Sequence, residues 1–372
     1  MSSYQDEWGI LAASKPLLFT FLFIFTSLLQ LSFPSHFNRV VCLATNVPST
    51  TKVTIQDALR DPPDSPWLRG YKLLFNSRGI GTDWELPYLW SDSTSPPTGK
   101  PIQDQAKDRG HPSRWTGIIH RFGYLILNYI LLCIYYNYLD LAGYVRLRPA
   151  DTLPSKEGIL RRAIQQLIEP IHTSPITKRE LVVRIWSVSD LIIPDYLILS
   201  AYHDFFGIFF IATGLDEPWE WPPLFGPITE AYSMRRYWSI FWHRLIYKSF
   251  NAHAAALLSF FRVRRGTMAS RLMQNFLVFF FSAGMHGLVS WRLGNHCGFG
   301  KNLVFWLLQP LAFLVEGIAV SSWKKIRPYM LLYVPQLPLS IFERMIGYMW
   351  VVAWLFWCVP KGRFPMLFCG QK

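Results

Sequence analysis

The run Phe122-Gly-Tyr-Leu-Ile-Leu-Asn-Tyr-Ile-Leu-Leu-Cys-Ile-Tyr-Tyr-Asn-Tyr-Leu139 contains no charged side chain. As a helix it would be about 27 Å long, close to the roughly 30 Å hydrocarbon core of a bilayer. Comparable runs recur at residues 16–33, 194–214, 272–291 and 302–323, with a shorter one at 345–360. Lipid offers backbone N–H and C=O groups no partner, so a run of this kind must satisfy them internally as a helix. The pattern predicts an all-α, polytopic transmembrane helical bundle of six to eight spans. Residues 251–261 are too short to cross alone and read as a re-entrant or interfacial piece, or as half of a broken helix.

The composition agrees. Of 372 residues, 51% are hydrophobic and only 16% charged, against about 25% in soluble proteins. Disorder, a fibre and a disulfide scaffold are excluded. Cys42, Cys133, Cys297, Cys358 and Cys369 form no CxxC or Cys/His ligand spacing, which predicts free thiols and no structural zinc. The formal charge of +13 comes from Lys and Arg at the ends of apolar runs, where they anchor helices at the headgroups rather than track nucleic acid. Loop charge places the N-terminus in the lumen by the positive-inside rule.

Three regions follow. Residues 1–33 form an N-terminal transmembrane anchor, since Asp6 and Glu7 in the leader and the lack of a close cleavage site argue against a signal peptide. Residues 34–115, rich in Pro, Ser, Asp and Arg, read as a solvent-exposed polar loop. Residues 116–363 form the membrane domain. Within it, 158–172 carries Ile159, Leu160, Ala163, Ile164, Leu167, Ile168 and Ile171 on one face and Arg161, Arg162, Gln165 and Gln166 on the other. That spacing predicts an amphipathic helix in the interface or against the bundle.

Ionisable groups inside apolar runs are costly to bury and therefore mark candidate sites. His203 and Asp204 interrupt one run, His286 sits in Phe281-Ser-Ala-Gly-Met-His-Gly, and Glu316 lies midway along the next. His286 has the strongest chemistry, because imidazole exchanges protons near neutrality and Ser282, Ala283, Gly284 and Gly287 let another chain approach its backbone. The alternative is a packing histidine bonded to a neighbouring span's carbonyl. A second constellation runs from Asp216-Glu-Pro-Trp-Glu-Trp-Pro-Pro-Leu-Phe-Gly to Ser233-Met-Arg-Arg-Tyr-Trp-Ser-Ile-Phe-Trp-His-Arg. Its aromatic and basic residues suit either an aromatic belt or a pocket for an anionic acyl carrier, with arginine for phosphate and apolar walls for the acyl end.

No Gly-x-Ser-x-Gly elbow, Walker loop or His-Glu-x-x-His pair occurs, and no Asp stands four residues after any histidine. The three stretches Trp221-Pro-Pro-Leu-Phe-Gly, Ser233 to Arg244 and Phe281 to Gly287, with Arg78-Gly-Ile-Gly-Thr-Asp-Trp-Glu upstream, resemble the wax synthase-like branch of the membrane-bound O-acyltransferase superfamily. Within that branch they look like fungal acetyltransferases of terpenoid and meroterpenoid secondary metabolites. The resemblance covers residues from about 70 to about 360 and implies a buried active-site chamber. It also implies His286 and His243 as catalytic residues, and acyl-CoA and substrate contacts from Arg235, Arg236, Trp238, Trp242, Ser282 and Gly284. His286 would take the acceptor's proton, and His243 or the Trp238 indole N–H would hydrogen-bond the oxyanion.

The implied reaction moves an acetyl group from acetyl-CoA, a co-substrate rather than a bound cofactor, to a hydroxyl of a hydrophobic terpenoid-type acceptor. It needs no metal and no nucleic acid, and would occur in the endoplasmic reticulum membrane, with other pathway enzymes as neighbours. Two alternatives stay open at this point: wax-ester synthesis from long-chain acyl-CoA and fatty alcohol, and a proton-coupled transporter using His203, Asp204, His286 and Glu316 as a relay. The segment 39–65 looks too short and polar for an early span expected in relatives.

Overall fold

The computed structural model describes residues 100–370 apart from 111, 140–146, 172–173, 293–295 and 297–298. Between 59 and 89 it describes Leu59, Ser65, 67–68, 71–72, 76–82 and 85–89. The run at 16–33, with the rest of the N-terminal anchor, lies outside the described residues.

The described chain is a helical bundle. Its elements are α1 (Ile102–Arg109), α2 (Arg114–Ile134), α3 (Ile159–Ile168), α4 (Lys178–Ala212), α5 (Met234–Arg236), α6 (Tyr247–Phe260), α7 (Met268–Arg292), α8 (Phe299–Met330) and α9 (Gln336–Gly370). Helix α2 begins at Ser113, whose hydroxyl accepts from the Thr116 N–H at 3.2 Å, and α4 begins at Thr177, which accepts from the Glu180 N–H at 3.2 Å. Each cap satisfies a donor that the first turn leaves unpaired. Helix α2 continues into a wider π turn, Tyr135–Leu139.

Helix α2 lies along α4, α6 packs on α7, α7 on α8 and α8 on α9, and α9 returns to α4. Four segments are long and apolar enough to cross a membrane: Arg114–Asn137, Met268–Arg292, Leu303–Met330 and Pro338–Phe368. They correspond to the runs at 122–139, 272–291, 302–323 and 345–360. The run at 194–214 is the second half of the 35-residue α4. Helix α4 is not among the four; it carries Asp190, Asp195, His203 and Asp204. Residues 251–260 fall in the 14-residue α6, about 21 Å long and too short to cross, and Phe261 caps its end.

The polar-loop expectation for 34–115 is corrected where the structure describes it. Ile80, Leu86, Leu89 and Ile102 are buried together, with Trp219 packed on them, and Arg78 is 4% exposed. Arg78 shows why. Prolines 218, 222, 223 and 227 break helical pairing in the crossing from α4 to α5 and leave carbonyls that need donors. Arg78 supplies two, Nη2 to Pro222 O and Nη1 to Pro223 O, both at 2.9 Å. Arg121 donates to Trp221 O and holds Asp204 at 2.9 Å, while His203 Nε2 lies 2.9 Å from Pro222 O. At Gly117 in α2, an added Cβ would meet Pro218 at 2.7 Å, so only glycine lets the crossing approach this closely.

The main core gathers Phe225, Met234, Tyr237, Phe241 and Trp242 from the α5 region with Phe279 of α7, Phe305 and Phe313 of α8, and Val351, Trp354 and Leu355 of α9. Tyr237 and Trp242 are therefore core residues, which removes the aromatic-belt account for them.

Candidate active site

The three-residue helix α5 and the π turn that follows it carry the first wall of the site. Ser233 caps the helix, accepting from the Arg236 N–H at 3.2 Å, and the chain then widens into a π turn, Tyr237–Phe241, before an extended Trp242. The helix start is held by Glu316 of α8, the buried intramembrane carboxylate. It accepts from the Met234 N–H, from the Arg235 N–H at 3.1 Å and from Trp350 Nε1 at 2.9 Å. A carboxylate at a helix N-terminus is favoured by both hydrogen bonding and dipole. Glu316, Asp204 and His203 thus each have a fixed structural partner, and they do not join His286 in a contiguous relay.

A cavity of about 270 Å³ opens between this segment, α6, α7 and α8. It is lined by Arg235, Trp238, Ser239, Trp242 and His243, then by Arg244, Ile246, Tyr247 and Phe250. The far wall is Asn275, Val278, Phe279, Ser282 and His286 of α7 with Trp306 and Phe313 of α8. His243 and His286, separated by more than forty residues in the chain, face one space.

The His286 ring lies flat on Trp306, centroids 4.1 Å apart and planes 9° from parallel. Among the described residues no hydrogen bond to either of its ring nitrogens is found, so the carbonyl-bonded packing role does not apply. His243 is wedged edge-on to Phe225 at 5.6 Å and beside Trp242 at 5.6 Å. Its Nδ1 is buried with no hydrogen-bond partner. Burial first, then the neighbouring His286 ring and the Arg78 guanidinium, pulls the His243 pKa down to about 3, so the imidazole is neutral. Arg244, a buried residue of the cavity wall, donates from Nη2 to Pro87 O at 2.6 Å. Burial lowers its pKa to about 10.

The other candidates divide. Arg235, Trp238, Trp242 and Ser282 line the cavity; Arg236 and Gly284 do not. Arg236 turns away to an ion pair with Glu230 and lies over the Tyr232 ring at 4.7 Å. Trp238 presents its ring to the cavity, but its N–H is committed to Gln309 Oε1 at 3.1 Å, which removes it as a free oxyanion donor. Of the aromatic run before His286, Phe279 is inward, Phe280 is exposed, and Phe281 packs on Phe250 and His253. Leu288 is also exposed.

Asn275, Ser239, Tyr247, Phe250, Val278, Trp306 and Phe313 were not singled out from the sequence. A signal existed for two of them: stepping back from His286 by helical spacing gives Ser282, Phe279, Val278 and Asn275 on one face of α7. The α6 and α8 contributors had none, because their inward faces are set by packing.

Comparison with known proteins agrees with this architecture. Residues 221–308, which contain both histidines, match the membrane bound O-acyl transferase family. The chain is 28% identical to acetyltransferase ataH of Aspergillus terreus (strain NIH 2624 / FGSC A1156), over 82% of this chain and 91% of the relative. It is 30% identical to acetyltransferase aurG of Calcarisporium arbuscula, over 46% of this chain and 40% of the relative. It is 23% identical to acetyltransferase atnC of Arthrinium sp, over 82% and 64%. The matched stretch thus spans less than two thirds of two of these three relatives. No solved structure matches. The chain is thus similar to the membrane bound O-acyl transferase family over residues 221–308 and to fungal acetyltransferases over most of its length.

Proposed function

We propose that this enzyme transfers an acetyl group from acetyl-CoA to a hydroxyl of a hydrophobic, terpenoid-type secondary metabolite, with His286 as general base and His243 at the oxyanion. The observation that carries this is the meeting of His243 and His286 in one apolar cavity, neither ring committed to a protein hydrogen bond among the described residues.

The acceptor hydroxyl gives its proton to a ring nitrogen of His286 as its oxygen attacks the thioester carbonyl. Trp306, parallel to the ring, fixes its plane and offers a π face to the imidazolium that forms. The tetrahedral oxyanion accepts a hydrogen bond from neutral His243, and Asn275 and Ser239 supply further polar groups on the same wall. Collapse breaks the carbon–sulfur bond, and the leaving thiolate takes the proton from His286. Ester and free coenzyme A result, with no covalent enzyme intermediate.

Arg235 is exposed, lines the cavity and lies near the Phe313 ring at 6.0 Å, a position suited to a phosphate of the incoming coenzyme A. Phe279, Phe313 and Trp306 close the inner wall around His286, which favours a short acyl group over a long one. The endoplasmic reticulum is the membrane in which such an enzyme would meet both substrates.

The test is transfer by microsomes given labelled acetyl-CoA or palmitoyl-CoA with panels of terpenoid and fatty alcohols. Acetyl-CoA should be preferred by about a hundredfold, two methylene-sized increments of discrimination. Wax ester from palmitoyl-CoA and hexadecanol, with no acetylation of any terpenoid alcohol, would replace this proposal with the long-chain one.

A further inference from the structure

The amphipathic helix α3 is outside the candidate active site, and its surroundings are chemically specific. Glu157, just before it, is 3.4 Å from Lys301, and Lys301 precedes the membrane-crossing segment Leu303–Met330 by two residues. That contact puts the start of α3 at the headgroup boundary. Lys361 lies near the C-terminal end of the segment Pro338–Phe368 and lines the same cavity as α3, so it shares this level.

The apolar face of α3 and of the turn after it is bare. Leu160 is 57% exposed, Leu167 85%, Ile168 72% and Ile171 91%. In water such a face would be a serious liability; at the boundary it enters the acyl region. Between Leu160 and Ile164 of α3 and Trp357 of α9 is a cavity of about 380 Å³, with Arg161 and Lys361 in its wall. Arg161 is exposed, and the Lys361 ammonium rests over the Trp357 ring at 4.6 Å rather than on a carboxylate. Neither has an ion-pair partner among the described residues. Arg162, next along the helix, is turned inward onto Glu180 at 2.5 Å and is not available. Glu157 is the carboxylate whose field reaches Lys361, and it is already shared with Lys301.

We infer that this cleft holds an anionic phospholipid of the surrounding bilayer, its phosphate between Arg161 and Lys361 and an acyl chain along Leu160, Ile164 and Trp357. Two uncompensated cations at the headgroup plane select a net negative headgroup over a zwitterionic one, and the apolar wall selects a lipid over a free phosphate. The site is distinct from the cavity of His243 and His286, with which it shares no residue.

The experiment is native mass spectrometry of the full chain in detergent, titrated with dioleoylphosphatidylserine and with dioleoylphosphatidylcholine, reading the ratio of the two affinities. Each cation contributes about fivefold to that ratio, so Arg161→Gln or Lys361→Gln should lower it about fivefold and the double variant roughly twenty-fivefold. Arg161→Lys with Lys361→Arg should retain it. Using a ratio within one protein cancels any general loss of stability, and the single variants decide the matter if the double variant cannot be purified. Equal binding of the two lipids by the unaltered chain, or an unchanged ratio in the glutamine variants, would overturn the inference. Displacement of phosphatidylserine by inorganic phosphate or by coenzyme A at millimolar concentration would overturn it too, by identifying the ligand as a soluble phosphate.

Discussion

Glu316→Gln separates a structural carboxylate from a proton-carrying one. In the structure, Oε1 of Glu316 accepts from the Met234 N–H and from Trp350 Nε1, and Oε2 accepts from the Arg235 N–H. Glutamine keeps one acceptor oxygen and turns an NH₂ toward a donor that had been satisfied. One charge-assisted hydrogen bond, worth about 1.5–3 kcal/mol, is lost, and the remaining ones fall toward neutral strength, for a total of about 2–4 kcal/mol. The loss should appear as a melting temperature lower by several degrees in detergent, read by fluorescence-detected size exclusion after heating. Because Glu316 does not line the reaction cavity, enzyme that remains folded should turn over at close to the normal rate. The opposite pattern, unchanged melting with abolished turnover, would refute the capping role and show that the carboxylate moves protons.

Further outcomes test the site itself. His286→Ala should lower transfer by about 10²–10⁴-fold while leaving thermal stability and membrane insertion intact, and normal turnover would remove it as base. Arg235→Ala should raise the donor KM with kcat little changed, because phosphate binding acts in ground and transition states alike. Arg236→Ala, which breaks a pair with Glu230 away from the cavity, should leave that KM unaltered. Phe279→Ala should shift donor preference toward longer acyl-CoA, by about 1–3 kcal/mol per admitted methylene, measured as relative kcat/KM along a chain-length series. His243 has a folded pKa of about 3 against 6.5 when exposed, so below pH 6.5 the unfolded chain takes up a proton that the folded chain refuses. Stability should therefore fall as pH drops from about 6.5 toward 3, and His243→Gln should flatten that slope in melting curves taken between pH 4 and 8.

Some of this molecule is legible in one dimension. An uncharged run of bilayer length must be a helix wherever it lies, because lipid gives its backbone no other partner, and four of the apolar runs are such segments in the structure. The cost of burying charge in apolar sequence marks His203, Asp204, His286 and Glu316 before any fold is known, and a proline-rich crossing between α4 and α5 is expected from residues 216–227 alone. Other features are decided by packing. Hydropathy does not say which face of α7 looks inward, and so it does not separate Phe279 from Phe280. Nor does composition say that Arg78 is the donor for two proline-run carbonyls rather than part of an exposed loop; that depends on a partner 144 residues away. His203, Asp204, Glu316 and His286 look alike as charges in apolar sequence. Three of them are matched by a guanidinium, a carbonyl or a helix start, whereas among the described residues His286 meets an indole face and a cavity. That distinction exists only in three dimensions, because whether a buried polar group is satisfied depends on what the rest of the chain brings to within about 3 Å of it.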